Sequence, residues 1–363
     1  MLKLERRAER SRALAVASPL IALAITVGLG FLLFAALGKD PLRGLEMFFY
    51  EPIKDPRALA ELSIKASPLL LIGLGLSICY RANVWNIGAE GQFILGTIGA
   101  SGVAMHASAD SSSWIVVPVL FVGIAAGTLW AALTAVLRDR FNASEILVSL
   151  MLVYVAEQLL SYLVQGPWKD PNGYNFPQTI TFLAPTRVPR LLASSRANWG
   201  VVLALVSTLV AWLFMHRTHA GYRLEVGGLA PRAARYAGFS SRSALWTALL
   251  VSGGMAGLAG ALEVTGPVGQ LTTHVPLGYG FAAIIVAFVG RLEPLGVTLS
   301  SILMSMFYIG GELSQSRLGL PKSITGVFQG LLLFSLLSCD ALIDYRPRFT
   351  GWKRVPPTAA EGT

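Results

Sequence analysis

The stretch RANVWNIGAEGQ at residues 81–92 sets polar residues between two long apolar runs. An acid such as Glu90 costs several kcal/mol beside an apolar span unless it faces protein or water and has partners. Asn86 and Gln92 each donate and accept hydrogen bonds, and Trp85 and Phe93 offer ring faces on which a planar solute can stack. This combination predicts a broken helix beside a solute pathway. In the alternative interpretation the stretch is a turn in which Glu90 caps the helix that follows.

The rest of the sequence lacks the residue patterns of common membrane enzymes. It contains no HExxH, no GxSxG and no paired aspartates within apolar runs, and no two of its histidines are four residues apart. Cys79 and Cys339 stand far apart, so neither a disulfide framework nor a metal site is indicated. A Walker A sequence is also absent. We therefore predict no catalytic residue, no metal and no cofactor in this chain.

The composition indicates a membrane protein. Hydrophobic residues make up 54% of the chain and charged residues only 13%, whereas a soluble domain has about 25% charged residues. The apolar residues form blocks of the length that crosses a bilayer as a helix. The first block, at 14–37, is about twice as long as the apolar part of a signal peptide, so we expect it to remain as a span.

We predict an all-α polytopic membrane protein with about ten transmembrane or re-entrant helices and with both termini in the cytoplasm. The whole chain, residues 1–363, is expected to form one transmembrane domain. Its helices are expected near 13–37, 62–79, 91–107, 115–137, 145–164, 199–216, 243–264, 280–290, 295–311 and 324–338. The segment 280–290 is too short to cross alone, so it and its neighbour are expected to form a re-entrant pair or a tilted, broken helix.

The lysines and arginines set the expected orientation. With the N terminus inside, 18 of the 29 fall on inner segments, although the outer segments contain more residues. This bias follows the positive-inside rule. The net charge of +9 is therefore attributed to membrane topology and not to nucleic-acid binding, because the basic residues are scattered among the ends of spans. The two longest loops are 165–198, expected outside, and 217–242, expected inside.

Six motifs in order resemble one family of transport proteins. WNIGAEGQ, with an arginine four residues before its tryptophan, resembles the signature of ABC transporter permeases for nucleosides, a branch of the ribose-type and branched-chain amino acid permease superfamily. The further motifs of this branch are SEILVSLMLVYVA at 144–156, GPWKDP at 166–171 with PQT at 177–179, GYRLEVGGLAPRAARYAGF at 221–239, GLAGALEVTG at 257–266 and GYGFAAIIVAFVGRLEPLG at 278–296. The likeness runs from about residue 60 to residue 340. The branch usually has an asparagine where this chain has Val153.

The resemblance implies an ATP-driven importer with several subunits. In that family two permease subunits, here expected to differ from each other, form the pathway. A cytoplasmic ATPase with two nucleotide-binding modules binds ATP and Mg, and an extracytoplasmic substrate-binding lipoprotein delivers the small-molecule solute. This chain would be one permease of the bacterial cytoplasmic (inner) membrane, and not an enzyme.

The resemblance also implies that the inner loop couples the permease to its ATPase. A short helix around PRAARYAG, started by Pro231, would rest in a cleft of the ATPase. Arg232 and Arg235 would lie on one face of that helix and could pair with acids there. The residues implied in coupling are Gly221, Arg223, Pro231, Arg232, Arg235, Tyr236 and Gly238. The alternative is a basic loop that binds only lipid phosphate.

The prolines of GPWKDP restrict the backbone on the outer side and present a tryptophan between them. The motif is expected to line an outer gate or to form the docking surface for the binding protein. Its residues are Gly166, Pro167, Trp168, Lys169, Asp170 and Pro171. The alternative is a rigid proline turn with an interfacial tryptophan.

Other functions stay open at this point. Simple sugars are the main alternative solute, followed by branched-chain amino acids. A secondary transporter would need no ATPase, but it usually shows internal symmetry and more than one buried acid, and no convincing repeat is present. A membrane enzyme would need the residue patterns that are missing.

Sidedness can be tested with single cysteines. A cysteine at Ser195 is expected to react with an impermeant thiol reagent added outside intact cells, and a cysteine at Ser240 is expected to react only after the cells are opened. Labelling is measured by mass shift on a gel. The reverse pattern would overturn the orientation.

Overall fold

The computed structural model describes residues 2–6, 12–108, 110–191 and 195–349, and these are almost entirely helical. Thirteen α-helices are found among them. They are α1 Arg12–Ala36, α2 Pro41–Phe49, α3 Pro56–Arg81, α4 Ala89–Ala104, α5 Val116–Phe141, α6 Glu145–Gln165, α7 Trp199–Arg217, α8 His219–Leu229, α9 Pro231–Tyr236, α10 Ser241–Glu263, α11 Tyr279–Val289, α12 Pro294–Leu318 and α13 Ile324–Asp344. Two short strands, β1 Leu2–Arg6 and β2 Tyr345–Phe349, pair antiparallel.

Eight helices in the described part of the chain are long and apolar enough to cross a membrane. The predicted all-α polytopic class is therefore confirmed. Helix α4 has 16 residues and α11 has 11, so both are short for a full crossing. The helix expected near 280–290 is α11, and it is followed by α12, whose 25 residues are enough to span alone. Helices α2 and α8 were not expected from the sequence.

The chain divides into two compact units, residues 1–42 with 326–363 and residues 43–325. In the first unit α1 lies along α13. The ring of Phe34 packs on Phe328 at a centroid distance of 5.7 Å, and Ser18 Oγ donates to Asp340 Oδ1 at 2.8 Å. Strands β1 and β2 pair with each other, so the first and the last described segments of the chain lie side by side.

The second unit is built around α10, which packs on α3, α4 and α5. Glycines bring these helices into backbone contact. A Cβ added at Gly96 of α4 or at Gly127 of α5 would lie 2.6 Å from the Cα of Gly257 in α10. Such small residues let membrane helices approach closely, as the GGMAGLAG sequence at 253–260 predicts.

The connections at the two ends of this unit differ. We call the end that carries residues 165–198 the outer end and the end that carries 217–242 the inner end. At the outer end, Thr179, Phe182 and Val188 donate backbone hydrogen bonds of 2.8 to 3.1 Å to the segment between α10 and α11. At the inner end, residues 217–242 form α8 and α9. The segment before α11 is therefore held by the long loop at the outer end.

Two neighbouring glycines of α8 test the packing at the inner end. A Cβ added at Gly228 would overlap the carbonyl oxygen of Arg81, whereas one at Gly227 meets nothing within 4 Å. We expect Gly228→Ala to lower the melting temperature of the purified protein, since overpacking costs about 1–3 kcal/mol. Gly227→Ala is the matched control and should stabilise by about 0.5–1 kcal/mol, because alanine favours helix. Equal melting temperatures would contradict this packing.

Candidate functional site

Residues 82–88 form the break that the sequence predicts between α3 and α4. Helix α3 ends at Arg81, Asn83 adopts a left-handed conformation with φ 55°, and α4 begins at Ala89 after Gly88. Asn86, Glu90, Gln92 and Phe93 are all at most 1% exposed. The side chains of Asn86, Glu90 and Gln92 therefore point into the protein, where each needs a partner.

Glu90 binds the beginning of a different helix from its own. Its Oε1 accepts a hydrogen bond of 3.0 Å from the backbone N–H of Gly278, and its Oε2 accepts one from the N–H of Gly280. Gly278 is the N-cap residue of α11, and Gly280 lies in its first turn. A carboxylate satisfies free N–H groups there and is favoured by the helix dipole. Capping is thus found, as the alternative interpretation expected, but on α11 and not on α4.

Asn86 and Gln92 hold each other through both ends of their amides. Asn86 Nδ2 donates to Gln92 Oε1 at 3.0 Å, and Gln92 Nε2 donates to Asn86 Oδ1 at 3.1 Å. Asn86 also donates to Ser252 Oγ of α10 at 3.0 Å and accepts from the N–H of Gly88 at 3.0 Å. These hydrogen bonds hold the break against α4 and α10. They also occupy the amide groups of Asn86 and Gln92, which the sequence suggests as contacts for a solute.

The aromatic faces of the break are covered in part by other rings. Trp85 lies against Tyr80 and Phe288 at centroid distances of 5.3 and 6.2 Å, and 38% of its surface is exposed. Phe93 is fully buried and meets the edge of Tyr279 at 5.9 Å. Trp85 is therefore the residue of this set with exposed surface at the inner end.

Arg81 joins three elements at the inner end of α3. Its Nε donates to the carbonyl oxygen of Leu292 at 3.2 Å, its Nη2 pairs with Glu293, and its Nη1 lies 4.0 Å from a carboxylate oxygen of Glu225 in α8. The break, the α11–α12 connection and α8 thus share one cation. The sequence motif contains this arginine, but its role depends on residues more than 140 positions away, which spacing alone does not reveal.

The inner end presents α9 with its basic face exposed. Pro231 is the first residue of α9, as predicted, and Arg232, Arg235 and Tyr236 are exposed, with Tyr236 at 97%. Neither arginine makes a hydrogen bond or ion pair with any residue that the structure describes. An exposed helix with free cations and an aromatic ring is suited to bind an acidic partner surface.

The other residues expected in coupling support this short helix. Arg223 Nη2 donates to Ser243 Oγ at 3.2 Å, which ties α8 to α10. Gly238 has φ +81° and ends the turn after α9, a conformation that glycine adopts without strain. A Cβ at Gly221 would lie 2.8 Å from the Cα of Met215. Gly221 therefore allows close packing of α8 on the end of α7, and Gly238 allows the turn after α9.

The motif at 166–171 continues directly from α6 at the outer end. The N–H groups of Gly166 and Trp168 donate to the last carbonyls of α6 at 3.0 and 2.9 Å. The Trp168 ring lies over Gly102 of α4, at 3.4 Å from an added Cβ. Lys169 pairs with Asn175, and Asp170 Oδ1 accepts from the N–H of Asn172 at 2.9 Å. Pro167 is exposed, so the motif offers a rigid outer surface next to α4.

Two buried polar residues were missed by the sequence prediction of the site. Glu263 at the outer end of α10 is 7% exposed, and the hydroxyl of Tyr279 is buried without a hydrogen-bond partner among the described residues. Both lie in motifs quoted above, and an acid that closes a long apolar run is the signal for Glu263. In the described ranges no group of three or more His, Cys, Asp or Glu residues could hold a metal ion.

Residues 58–337 match the family model described as the permease component of the branched-chain amino acid transport system. The chain belongs to this permease family. Eight spans and a broken helix in a membrane domain agree with that membership, and the protein is a transport permease.

Relatives of the permease carry more specific names. It is 30% identical to the glucose ABC transporter permease protein TsgB13 of Haloferax volcanii, over 92% of this chain and 90% of that protein. It is 27% identical to the guanosine ABC transporter permease protein NupP of Bacillus subtilis, over 89% and 93%. It is 25% identical to the nucleoside ABC transporter permease protein NupB of Lactococcus lactis, over 87% and 89%. No solved structure matches this chain.

Bacillus subtilis and Lactococcus lactis each have a second permease that is similar to this chain. These are a further guanosine permease and a further nucleoside permease, 24% and 27% identical to it. Similar permeases thus occur in pairs within one organism.

Two substitutions of Glu90 distinguish its role in folding from its role in transport. Glu90→Gln keeps one acceptor for the two N–H groups of α11, whereas Glu90→Leu leaves both unpaired. Since a hydrogen bond to a charged group contributes about 1.5–3 kcal/mol, we expect Glu90→Gln to lower uptake at a normal membrane level. Glu90→Leu is expected to lower the membrane level as well. Uptake of labelled nucleoside and immunoblots of the membranes measure the two effects.

Glu157→Gln is the matched control for these variants. Glu157 lies on α6 and interacts electrostatically with Glu90, but it makes no hydrogen bond with a described residue. Its neutralisation changes the local charge and leaves the cap intact, so uptake should stay near that of the unsubstituted permease. If Glu90→Gln transports as well as this control, the cap has no role in transport.

Proposed function

We propose that this chain is a membrane-spanning permease subunit of an ATP-driven importer of nucleosides. Family membership and the guanosine and nucleoside relatives support the proposal. The observation that carries it is the inner surface of α9, whose exposed arginines and tyrosine are unpaired among the described residues. A basic loop that binds only lipid phosphate needs no ordered pattern of Gly, Pro and Tyr, so the pattern around these arginines favours a protein partner.

The proposal includes three partners. A cytoplasmic ATPase with two nucleotide-binding modules supplies the energy and binds ATP and Mg, because this sequence has no nucleotide-binding motif of its own. A second, different permease completes the pathway, as the paired permeases of two organisms suggest. An extracytoplasmic lipoprotein delivers the solute to the outer surface, to which residues 166–171 contribute. The complex lies in the bacterial cytoplasmic membrane.

The contacts at the inner end provide a route for coupling. Helix α8 touches the end of α3, where Gly228 packs on the backbone of Arg81. Arg81 bonds to Leu292 and Glu293 after α11, and Glu90 bonds to the beginning of α11. A displacement of α9 by the ATPase is thus passed to both ends of α11 and to the break before α4. We propose that Asn86, Gln92 and Glu90 act by shaping the wall of the pathway, with Trp85 and Phe93 beside it.

Simple sugars are the second candidate solute, because the glucose permease has the highest identity among the relatives named above. Branched-chain amino acids rank behind them, on the description of the family alone. A direct comparison decides between these solutes. Uptake of labelled guanosine by cells that produce the complex is measured in competition with unlabelled nucleosides, glucose and leucine. We expect competition by nucleosides only, and competition by glucose alone would move the assignment to sugars.

Coupling through α9 is tested by charge reversal. We expect Arg232→Glu with Arg235→Glu to lower uptake at least tenfold, because like charges at a desolvated contact cost several kcal/mol. The double variant should also fail to retain the ATPase when the tagged permease is purified from native membranes. Arg140→Glu is the control, since Arg140 is exposed at the inner end of α5 and outside the coupling surface. Normal uptake by the double variant would remove the coupling role from α9.

A further inference from the structure

Glu263 is a buried acid that takes no part in the contacts described above at the inner end. Its side chain is at the outer end of α10 and is 7% exposed, and no described residue donates a hydrogen bond to its carboxyl group. Burying a carboxyl group without a donor is unfavourable, and an acid within a membrane helix is by default a candidate for function. Glu90, by contrast, has two donors.

The cations nearest to Glu263 are already paired with other acids. Lys65 Nζ lies 3.0 Å from Glu312 Oε1, and Arg196 binds Glu61 through two hydrogen bonds of 2.8 and 2.5 Å. Glu263 interacts with Lys65 and Arg196 by electrostatic attraction only. These five residues comprise three acids and two bases, so one acid lacks a full partner, and the geometry identifies it as Glu263.

Glu263 also lines a cavity that adjoins a larger one at the outer end. The small cavity lies between α3, α10 and the start of α7, and Ser67, Asn198 and Pro267 help to line it. Asn198 and Pro267 line the outer cavity as well, which has a volume of about 390 Å³. That volume lies within the range of small-molecule sites. Glu263 thus lines a small cavity that shares Asn198 and Pro267 with a space large enough to hold a sugar or a nucleoside.

A second unsatisfied polar group interacts with Glu263. The hydroxyl of Tyr279 is buried, has no hydrogen-bond partner among the described residues and interacts electrostatically with Glu263. Tyr279 begins α11, next to the groups that Glu90 binds. A buried hydroxyl without a described partner therefore lies at the start of α11, within electrostatic range of Glu263.

We infer that Glu263 is a solute-binding residue, whose carboxylate accepts hydrogen bonds from the hydroxyl groups of a polyhydroxylated solute that enters from the outer cavity. This inference rests on the proposed importer function and adds a specificity-determining residue to it. Both candidate solutes, nucleosides and sugars, carry such hydroxyl donors. The carboxyl group, which is costly to bury without a donor, is satisfied when a solute arrives.

Replacement of Glu263 should lower transport without lowering the stability of the permease. Glu263→Leu removes a buried acid that has no donor, so its melting temperature should equal or exceed that of the unsubstituted permease while uptake is lost. Glu263→Gln keeps size and one acceptor, and the KM for uptake of labelled guanosine, or of glucose, should rise about tenfold, as for one weakened hydrogen bond to a charged group. The preference for the ribonucleoside over its 2′,3′-dideoxy analogue should fall by a similar factor.

Glu51→Gln is the matched control. Glu51 is also an outer carboxylate, but Arg317 binds it at 2.7 Å, and this hydrogen bond lowers the pKa of Glu51. Its replacement should lower the melting temperature slightly and leave the KM unchanged. A lower melting temperature for Glu263→Leu, or an unchanged KM for Glu263→Gln, would overturn the solute-binding role. If the unsubstituted permease takes up neither nucleosides nor sugars, the proposed function itself fails. That result concerns the unsubstituted protein and so differs from every outcome named for the Glu263 variants.

Discussion

The first amide groups of α11 need acceptors inside the protein, and this need governs the arrangement of the second unit. Eleven residues extend about 16 Å, which is half of the hydrocarbon thickness of a bilayer. Helix α11 ends next to Arg291 at the inner end, so its beginning lies at membrane depth, where no water satisfies free N–H groups. The carboxylate of Glu90 takes two of them. The acid that looks costly in the sequence thus makes a half-length helix possible.

Glu90 can reach α11 only because the two backbones nearly touch. A Cβ added at Gly280 would lie 2.5 Å from the Cα of Glu90. The same requirement recurs between α4, α5 and α10, where glycines replace side chains at the contacts. Without a hydrophobic drive between helices in lipid, close backbone packing and internal hydrogen bonds supply the association energy. The glycines and the buried polar residues therefore depend on each other, since the hydrogen bonds form only where glycines let the two backbones come close.

The sequence predicts the class of the fold because apolar length is a direct requirement of the bilayer. It also predicts the break at 82–88, since a cluster of polar residues between apolar runs is costly in lipid unless it faces protein or water. It does not predict the partner of Glu90, because Gly278 is 188 residues away and only packing brings it close. It misses α8, whose HAGYRLEVGGL has two adjacent glycines and looks like a loop. The start of α9 is predicted correctly because Pro231 fixes its own backbone angle wherever it stands.

A comparison of Glu90 with Glu263 shows that burial alone does not distinguish an acid with a structural role from an acid with a functional one. Glu90 and Glu263 are both buried, but the first has two backbone donors and the second has none among the described residues. The two backbone hydrogen bonds of Glu90 offset part of the cost of burying its carboxyl group and cap α11, so packing is enough to explain its presence. An unsatisfied acid raises that free energy, and apolar residues of similar size would relieve the penalty. Hydrogen bonding within the described part of the chain therefore gives no reason for an acid at position 263, and this favours the solute-binding role that we infer for it.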